Sequence, residues 1–157
     1  MNKTILKRIC FFALLALVFA ILPVFSGDED EVIIPSFPPY AIINASYRGD
    51  IDTMQEILAA GVDKDVRDAL GATALHQAVM QKNAMVVKLL LDYGFDPNAV
   101  TKSGYTPLHW AVAANNIDAV RLLLQYGADK RIKCLEGFTP LDKARQSEKT
   151  ALINLLR

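Results

Sequence analysis

Apolar and polar positions divide the chain at about residue 40 into two parts with different patterns. In the first part, residues 9–25 form an unbroken apolar run, with three basic residues ahead of it and the four acids of residues 28–31 behind it. A basic start, an apolar middle and a small residue at the end are typical of an export signal, here with a cleavage site between Ser26 and Gly27. The same 17 residues are just long enough to cross a bilayer as an uncleaved anchor. Both alternatives leave the rest of the chain on the non-cytoplasmic side.

A linker follows this hydrophobic segment. Residues 27–39 combine the acidic run with Pro35, Pro38 and Pro39. Proline fixes φ and has no amide donor, so helix is disfavoured and an extended, semi-rigid spacer is expected. The sequence therefore predicts residues 1–26 as a signal peptide or membrane anchor and the following segment as an acidic, proline-rich linker.

From residue 40 onward the pattern repeats every 33 residues. A Gly-x-Thr-x-Leu motif, a Gly-x-Asp motif and an apolar, leucine-rich segment all keep this register. The first motif begins at Gly71, Gly104 and Gly137, the second at Gly61, Gly94 and Gly127, and the apolar segments are 57–58, 89–91 and 122–124. Three independent markers in one register indicate a tandem repeat.

Each repeat contains signals for two short helices. Thr106 is suited to cap the first helix and Pro107 to occupy its first position, where a missing amide costs nothing. Asn116 is suited to cap the second helix, and Gly127 to close it in the left-handed conformation. One pair of such helices is too small to bury its apolar face alone, so the repeats must stack to form a core.

These motifs resemble those of the ankyrin repeat, which runs Gly-x-Thr-Pro-Leu-His, a short helix, a second helix with Leu-Leu, and then Gly-Ala-Asp. The resemblance implies an all-α fold, an ankyrin-repeat solenoid of helix-turn-helix units joined by β-hairpin-like loops. The apolar run of residues 9–25 predicts an N-terminal hydrophobic helix ahead of it. The ankyrin repeat domain is expected at residues 40–157, with repeats at 40–67, 68–100, 101–133 and 134–157. The first repeat is degenerate and the last truncated. Polar residues of the first repeat are expected on a face in water, namely Asn44, Ser46 and Glu56.

Composition and charge narrow the possible functions. Lys+Arg and Asp+Glu number 17 each, and residues 28–157 alone carry a net charge of −3. That balance argues against a nucleic-acid partner, because binding to phosphates relies on an excess of basic residues. The two cysteines exclude a disulfide-stapled scaffold and a cysteine-rich zinc site. The sequence contains no phosphate-binding glycine loop or nucleophile elbow, so we expect no cofactor and no enzymatic activity.

Two sets of repeated polar residues could carry chemistry, and each has a simpler structural interpretation. His76 and His109 lie one repeat apart, and each is expected to hydrogen-bond the Thr at the head of its own motif and neighbouring backbone. A catalytic zinc site needs three converging protein ligands, which these positions do not supply. Asp63, Asp96 and Asp129 recur at the same spacing and are expected to cap turns rather than to form a pair of catalytic carboxylates.

Cys134 and the basic residues beside it could also carry chemistry. Basic neighbours can lower the pKa of a thiol, but no base or oxyanion arrangement accompanies this one, so a catalytic role is not predicted. If the N-terminal segment is removed, Cys134 is the only thiol, and pairing between chains stays open. The cluster of Lys130, Arg131 and Lys133 is expected to be a solvated tip. We therefore predict no catalytic, cofactor-binding or metal-binding residues.

The resemblance implies a partner-binding surface on the hairpin tips and on the concave side of the first helices. The residues expected to bind the partner are Leu70, Met80, Gln81, Lys102, Ser103, Tyr105, Leu135, Glu136 and Phe138, with Asp68, Ala72, Ala113 and Ala114 beside them. Tyr105 and Phe138 follow repeat glycines one repeat apart, and aromatic residues are over-represented in binding hot spots. The alternative, equally open at this point, is that both aromatic rings pack on the neighbouring loops.

The sequence thus predicts a monomeric, exported or membrane-tethered module that mediates protein–protein interaction through its concave face and loop tips. The alternative is a structural or inhibitory subunit of a cell-envelope complex, held by the N-terminal helix. The expected location is periplasmic or secreted, or at a membrane through residues 9–25 if they are not cleaved. The expected partner is another protein, not a nucleic acid, and the sequence does not identify it.

Overall fold

Eight short helices in four pairs make up the part of the chain that the structure describes. The structure is a computed structural model, and it describes residues 37–157. The first helices of the pairs are α1 (Ala41–Arg48), α3 (Ala74–Met80), α5 (Pro107–Ala113) and α7 (Pro140–Gln146), and the second helices are α2 (Ile51–Ala59), α4 (Ala84–Asp92), α6 (Ile117–Gln125) and α8 (Thr150–Leu156). Residues 37–157 contain no strand, so the predicted all-helical repeat fold is confirmed for this range. The predicted N-terminal hydrophobic helix and most of the predicted linker lie outside it.

The second helices of the first three pairs begin and end at the residues that the sequence predicts. The Asn116 side chain accepts a hydrogen bond from the Ala119 backbone N–H at 3.0 Å and so caps α6. Asp50 and Asn83 cap α2 and α4 in the same way. Gly127 follows α6 with a φ of 85°, the left-handed conformation that closes a helix. The capping predictions are therefore confirmed.

Stacking of the pairs forms one continuous apolar core. Helices α1, α3 and α5 each pack against the second helix of their own pair and against the first helix of the next pair. Leu75 and Leu108, from consecutive first helices, and Leu90 and Leu123, from consecutive second helices, are fully buried. Since each pair covers the apolar face of its neighbour, most of the free energy of folding comes from the contacts between repeats.

Two polar side chains link consecutive pairs at the turn between their helices. Asn116 Nδ2 donates to Val79 O at 2.9 Å, across a separation of 37 residues. Lys149 Nζ donates to Val112 O at 2.7 Å, across the same separation. Both acceptors are carbonyls in the last turn of a first helix, where the N–H four residues on is no longer part of the helix. Val112 O also accepts from the Asn115 N–H at 3.1 Å. The two bonds therefore fix the spacing of the second, third and fourth pairs.

Tight hairpin loops connect one pair to the next. They occupy residues 68–72, 101–105 and 134–138, and in each the first residue donates its N–H to the carbonyl of the last. Neighbouring loops also bond to one another: the Lys102 N–H donates to Leu70 O and the Leu135 N–H donates to Ser103 O, both at 3.0 Å. These hairpin loops form a hydrogen-bonded layer beside the first helices, as the resemblance to ankyrin repeats implies.

The close approach of the loops makes a direct prediction for Gly104. A Cβ atom at this position would lie 2.9 Å from the Leu135 backbone nitrogen, whereas a Cβ at Gly127 would meet no atom within 4 Å. Both glycines have positive φ, at 76° and 85°, so Gly→Ala costs about 1–2 kcal/mol in backbone strain at either. We expect Gly104→Ala to lower the free energy of unfolding by about 1 kcal/mol more than Gly127→Ala, because it also separates two loops. Urea unfolding of both variants measures the difference, and equal losses would contradict the loop contact.

The first repeat contains one wrong prediction. Asn44 and Glu56 are exposed, as expected for a pair with one face in water. Ser46 is instead fully buried, and its hydroxyl donates to Ile42 O at 2.7 Å. A serine hydroxyl that bonds back to the preceding turn of its own helix needs no water, so it can occupy a core position.

Candidate partner-binding groove

Two buried histidines link the repeats beneath the face formed by the first helices and hairpin loops. The Thr106 N–H donates to His109 Nδ1 at 3.2 Å, so the ring proton lies on Nε2, which donates to Phe138 O in the next hairpin loop at 3.0 Å. His76 makes the same bonds, to Thr73 and to Tyr105 O. The predicted structural role of both histidines is confirmed, and the bond to the following repeat adds to it.

Burial keeps these histidines uncharged. Loss of hydration lowers the pKa of His76 to about 4, and the same cause lowers the pKa of His109. A protonated ring would also lose the acceptor on Nδ1 that the threonine N–H needs. At neutral pH both rings are therefore fixed, neutral supports for the residues above them.

The fourth pair uses a carboxylate in place of the histidine. Asp142 Oδ2 accepts from the Thr139 N–H at 3.0 Å and from the Thr139 hydroxyl at 2.7 Å. The carboxylate thus caps α7 as His109 caps α5, and the pKa of Asp142 is lowered by these hydrogen bonds. An ionised aspartate has no donor. It therefore cannot make the bond to a following hairpin loop that the histidines make.

An open groove of about 380 Å³ lies across the first helices of the second, third and fourth pairs. We call it the inner groove. The residues that line it include Met80, Tyr105, Trp110, Ala113, Lys143 and Ser147. Most of the exposed lining is carbon, with a lysine at one end. A concave, largely apolar site with few polar groups is typical of a binding site.

The aromatic walls of the inner groove rest on the buried histidines. The Trp110 ring packs edge-on against His76 with 5.1 Å between ring centroids. The Tyr105 ring packs in the same way against His109 at 5.5 Å. Because each histidine is fixed at both nitrogens, the two aromatic rings are held in place before any ligand arrives, which reduces the entropy lost on binding.

Lys143 and Glu136 form a polar group at the other end of the inner groove. Lys143 Nζ donates to Glu136 Oε2 at 2.8 Å, and the Tyr105 hydroxyl donates to Glu136 Oε1 at 2.6 Å. The Lys143 ammonium also lies 4.6 Å from the centroid of the Phe138 ring. These hydrogen bonds, that from Lys143 above all, lower the pKa of Glu136. The third and fourth repeats are thus tied together at the mouth of the groove.

The structure brings only some of the predicted binding residues together. Met80 and Tyr105 line the inner groove, and Gln81 is exposed at the end of α3. Phe138 is half-buried beneath Lys143. The exposed tips of the hairpin loops carry Leu70, Lys102, Ser103, Leu135 and Glu136. Tyr105 and Phe138 do contact neighbouring side chains, as the packing alternative holds, while a role in binding stays a prediction.

Sequence reasoning missed two residues of the inner groove and misplaced one beside it. Trp110 and Lys143 occupy the same position of consecutive repeats, and both line the groove. The sequence contains a signal that could have identified Trp110: it lies three residues before Ala113, which is expected at the binding surface, and residues three apart share a helix face. Ala72, expected at the surface, is fully buried. Its small side chain lies in the tight hairpin loop, where its backbone N–H donates to the Asp68 carboxylate at 2.9 Å.

The remaining chemical candidates have structural roles. The Asp129 carboxylate accepts from the Arg131 N–H two residues on at 2.9 Å, and Asp63 and Asp96 form the same turn, so the predicted turn caps are confirmed. Cys134 is a free cysteine and is buried. Lys130 Nζ donates to Arg157 O at 2.8 Å. Among residues 37–157, no group of three or more His, Cys, Asp or Glu side chains could hold a metal ion.

Comparison with known proteins gave one family. Residues 42–134 match the family model for ankyrin repeats, in three copies. The match covers more than half of the chain and includes helices α2 to α6 and all of α1 except Ala41. No curated protein matched the chain significantly.

Proposed function

This chain belongs to the ankyrin repeat family, and we propose that it is an exported or membrane-tethered module that binds another protein through the inner groove and the hairpin tips. Ankyrin repeats generally mediate protein–protein interaction, and the family is generally non-enzymatic. The proposed mechanism is therefore recognition without turnover, by a monomer that needs no cofactor.

The observation that carries this proposal is the pre-positioned pair of aromatic rings in the inner groove. Trp110 and Tyr105 are half-buried and held edge-on by His76 and His109. Tryptophan and tyrosine are among the residue types enriched in binding hot spots, and they bury a large area at little cost in side-chain entropy. Exposed Leu70 and the still more exposed Leu135 add apolar area at the hairpin tips beside them.

Export is supported by the sequence of the N-terminal segment. Residues 1–26 have the basic, apolar and small-residue order of a signal peptide, and they lie outside the described residues. Across residues 37–157 no helix combines the length and the hydropathy that a membrane crossing requires. If the apolar run is not cleaved and anchors the chain, the repeats would lie on the non-cytoplasmic side of the membrane, as they would after cleavage. In that case a structural or inhibitory subunit of an envelope complex is the alternative function.

We expect the native protein to lack its N-terminal segment. The order of charges and the small residues at Ser26 and Gly27 predict a mature chain that begins at or near Gly27. Intact-mass measurement of protein from soluble and membrane fractions tests this directly. A chain that still begins at Met1 and stays in the membrane fraction would contradict cleavage and favour the anchored alternative.

The binding proposal is tested by an affinity capture with a matched variant. The full chain is compared with Trp110→Ala and with Met85→Ala, which changes a side chain that is 69% exposed on α4. We expect a protein retained by the wild type and by Met85→Ala but not by Trp110→Ala. Retention by all three would show that the inner groove is not the binding site.

Once a partner is isolated, we expect its binding free energy to concentrate on a few aromatic residues. Tyr105→Ala, Trp110→Ala and Phe138→Ala should each weaken affinity about thirtyfold, the effect of losing about 2 kcal/mol at a hot spot. Lys130→Ala should leave the dissociation rate unchanged, because its exposed amine bonds the Arg157 carbonyl away from the groove. Surface plasmon resonance gives the rates, and melting curves of each variant separate lost binding from lost folding. Unchanged affinity in all three aromatic variants would contradict the proposal.

A further inference from the structure

The described part of the chain has an uneven distribution of charge. The segments that form the first helices, the hairpin loops and the short turns between helices are 37–50, 67–83, 101–116 and 133–149, and we call them the groove side. The groove side carries eight basic and five acidic side chains, whereas the rest of residues 37–157 carries six basic and eight acidic ones. The net charge is therefore +3 (8 − 5) on the groove side and −2 (6 − 8) on the rest of residues 37–157.

Most acids on the groove side are already engaged by the protein itself. Glu136 accepts hydrogen bonds from Lys143 and Tyr105, and Asp68 accepts from the Leu70 N–H at 2.8 Å. Asp50 and Asp142 cap helices. A carboxylate whose oxygens already accept hydrogen bonds is a weaker attractant for an incoming cation.

The basic residues on the groove side are less engaged. Lys82 and Lys102 are exposed, and neither forms an ion pair with any other residue in 37–157. Lys143 donates one hydrogen bond to Glu136, while an ammonium group has three N–H donors. Lys143 thus has unused donors at the edge of the apolar groove, and Lys102 lies on the hairpin loop that carries Tyr105. This combination attracts an apolar group that is accompanied by negative charge.

We propose that the inner groove recognises an acidic segment of a partner protein, with one large apolar side chain seated between Met80 and Trp110 and carboxylates flanking it. One carboxylate pairs with Lys143 beside Glu136, and another faces Lys102 at the hairpin tip. This inference rests on the proposed binding function and adds the chemistry of the partner. A nucleic acid is also anionic, but the net charge of residues 28–157 is −3 and the groove lining is largely carbon.

The test is a selection of random dodecapeptides, displayed on phage, against the immobilised full chain. We expect enriched peptides with a net negative charge and a Leu, Ile, Phe or Trp among the acids. Synthetic copies should bind at least about tenfold more weakly to Lys102→Glu, because reversing a charge replaces attraction with repulsion. Arg121→Glu is the matched control, since Arg121 is exposed on α6 and forms no ion pair within residues 37–157. Circular dichroism confirms that both variants fold.

The outcomes separate this inference from the proposed function. Peptides that depend on Trp110 but are neutral or basic would overturn the acidic-segment inference and leave the groove as the binding site. Peptides that are insensitive to Trp110→Ala, or no enrichment at all, would count against both. Weaker binding to Arg121→Glu than to Lys102→Glu would place the site on the other face. A random 20-nucleotide DNA that binds at 150 mM salt more tightly than any peptide would also overturn the inference.

Discussion

Leu108→Ala and Leu123→Ala should each lower the free energy of unfolding by about 2–5 kcal/mol, the usual effect of truncating a buried leucine. Leu108 lies in α5 and Leu123 in α6, and both are 0% exposed. Both leucines belong to the core that all four pairs share, and α5 and α6 each pack against the equivalent helix of the preceding and the following pair, so a cavity there is expected to weaken the stack and not only one pair. Because the repeats share one core, we expect a single cooperative unfolding transition at a lower denaturant concentration.

Leu70→Ala and Leu135→Ala are the matched controls for these variants. The two leucines are 63% and 80% exposed at the hairpin tips, so the same chemical change should stay within about 0.5 kcal/mol of the wild type. Urea unfolding followed by circular dichroism measures all four. Losses of similar size at buried and exposed positions would mean that the assignment of the core is wrong.

Acidification should destabilise the fold well before the carboxylates are protonated. The pKa of His76 is about 4 in the folded protein, against an ordinary value of 6.5. Between these values the unfolded chain binds a proton that the folded chain does not, so stability is fully present above pH 6.5 and falls as the pH falls toward 4. From His76 alone we expect a loss of about 2 kcal/mol between pH 7 and pH 5. His109, whose pKa is also lowered by burial, adds to the loss.

The contribution of His76 is isolated by comparing how steeply the free energy of unfolding falls with pH in the wild type and in a variant, instead of comparing their stabilities at one pH. His76→Gln cannot titrate, so its free energy of unfolding should change less between pH 7 and pH 5 than that of the wild type, whatever its stability at pH 7. The carboxylates with lowered pKa, such as Asp50 and Asp142, lose their contribution only below about pH 4. An unchanged slope in the variant would contradict the burial of a neutral histidine.

The repeat fold could be predicted because its signals are local and recur in one register. Thr106 and Asn116 start helices, Gly127 ends one, and their equivalents recur every 33 residues. Capping depends on neighbours within one turn, so such residues specify an element without reference to the rest of the fold. The same locality explains the correct prediction that the histidines bond the threonine of their own motif.

The inner groove could be predicted only in part because it depends on contacts between repeats. The Lys143 ammonium lies 5.7 Å from the centroid of the Tyr105 ring, a contact that forms only when the third and fourth pairs stack. The sequence predicts Ser46 at the surface because serine is polar. In the structure its hydroxyl donates to Ile42 O of its own helix and the side chain is fully buried. Alignment of the repeats gives the position of a residue along its helix. It does not show what the neighbouring repeat places against that position.

The central claim, that this chain binds a protein through its inner groove, is tested most directly by site-specific photo-crosslinking in cells. A benzoylphenylalanine in place of Ala113, which is exposed at the groove, is compared with one in place of Gln125, which is exposed at the end of α6. We expect irradiation to give a discrete, heavier protein adduct from the Ala113 position and none from Gln125. An adduct from Gln125 and none from Ala113 would contradict the claim and place the interaction on the second helices.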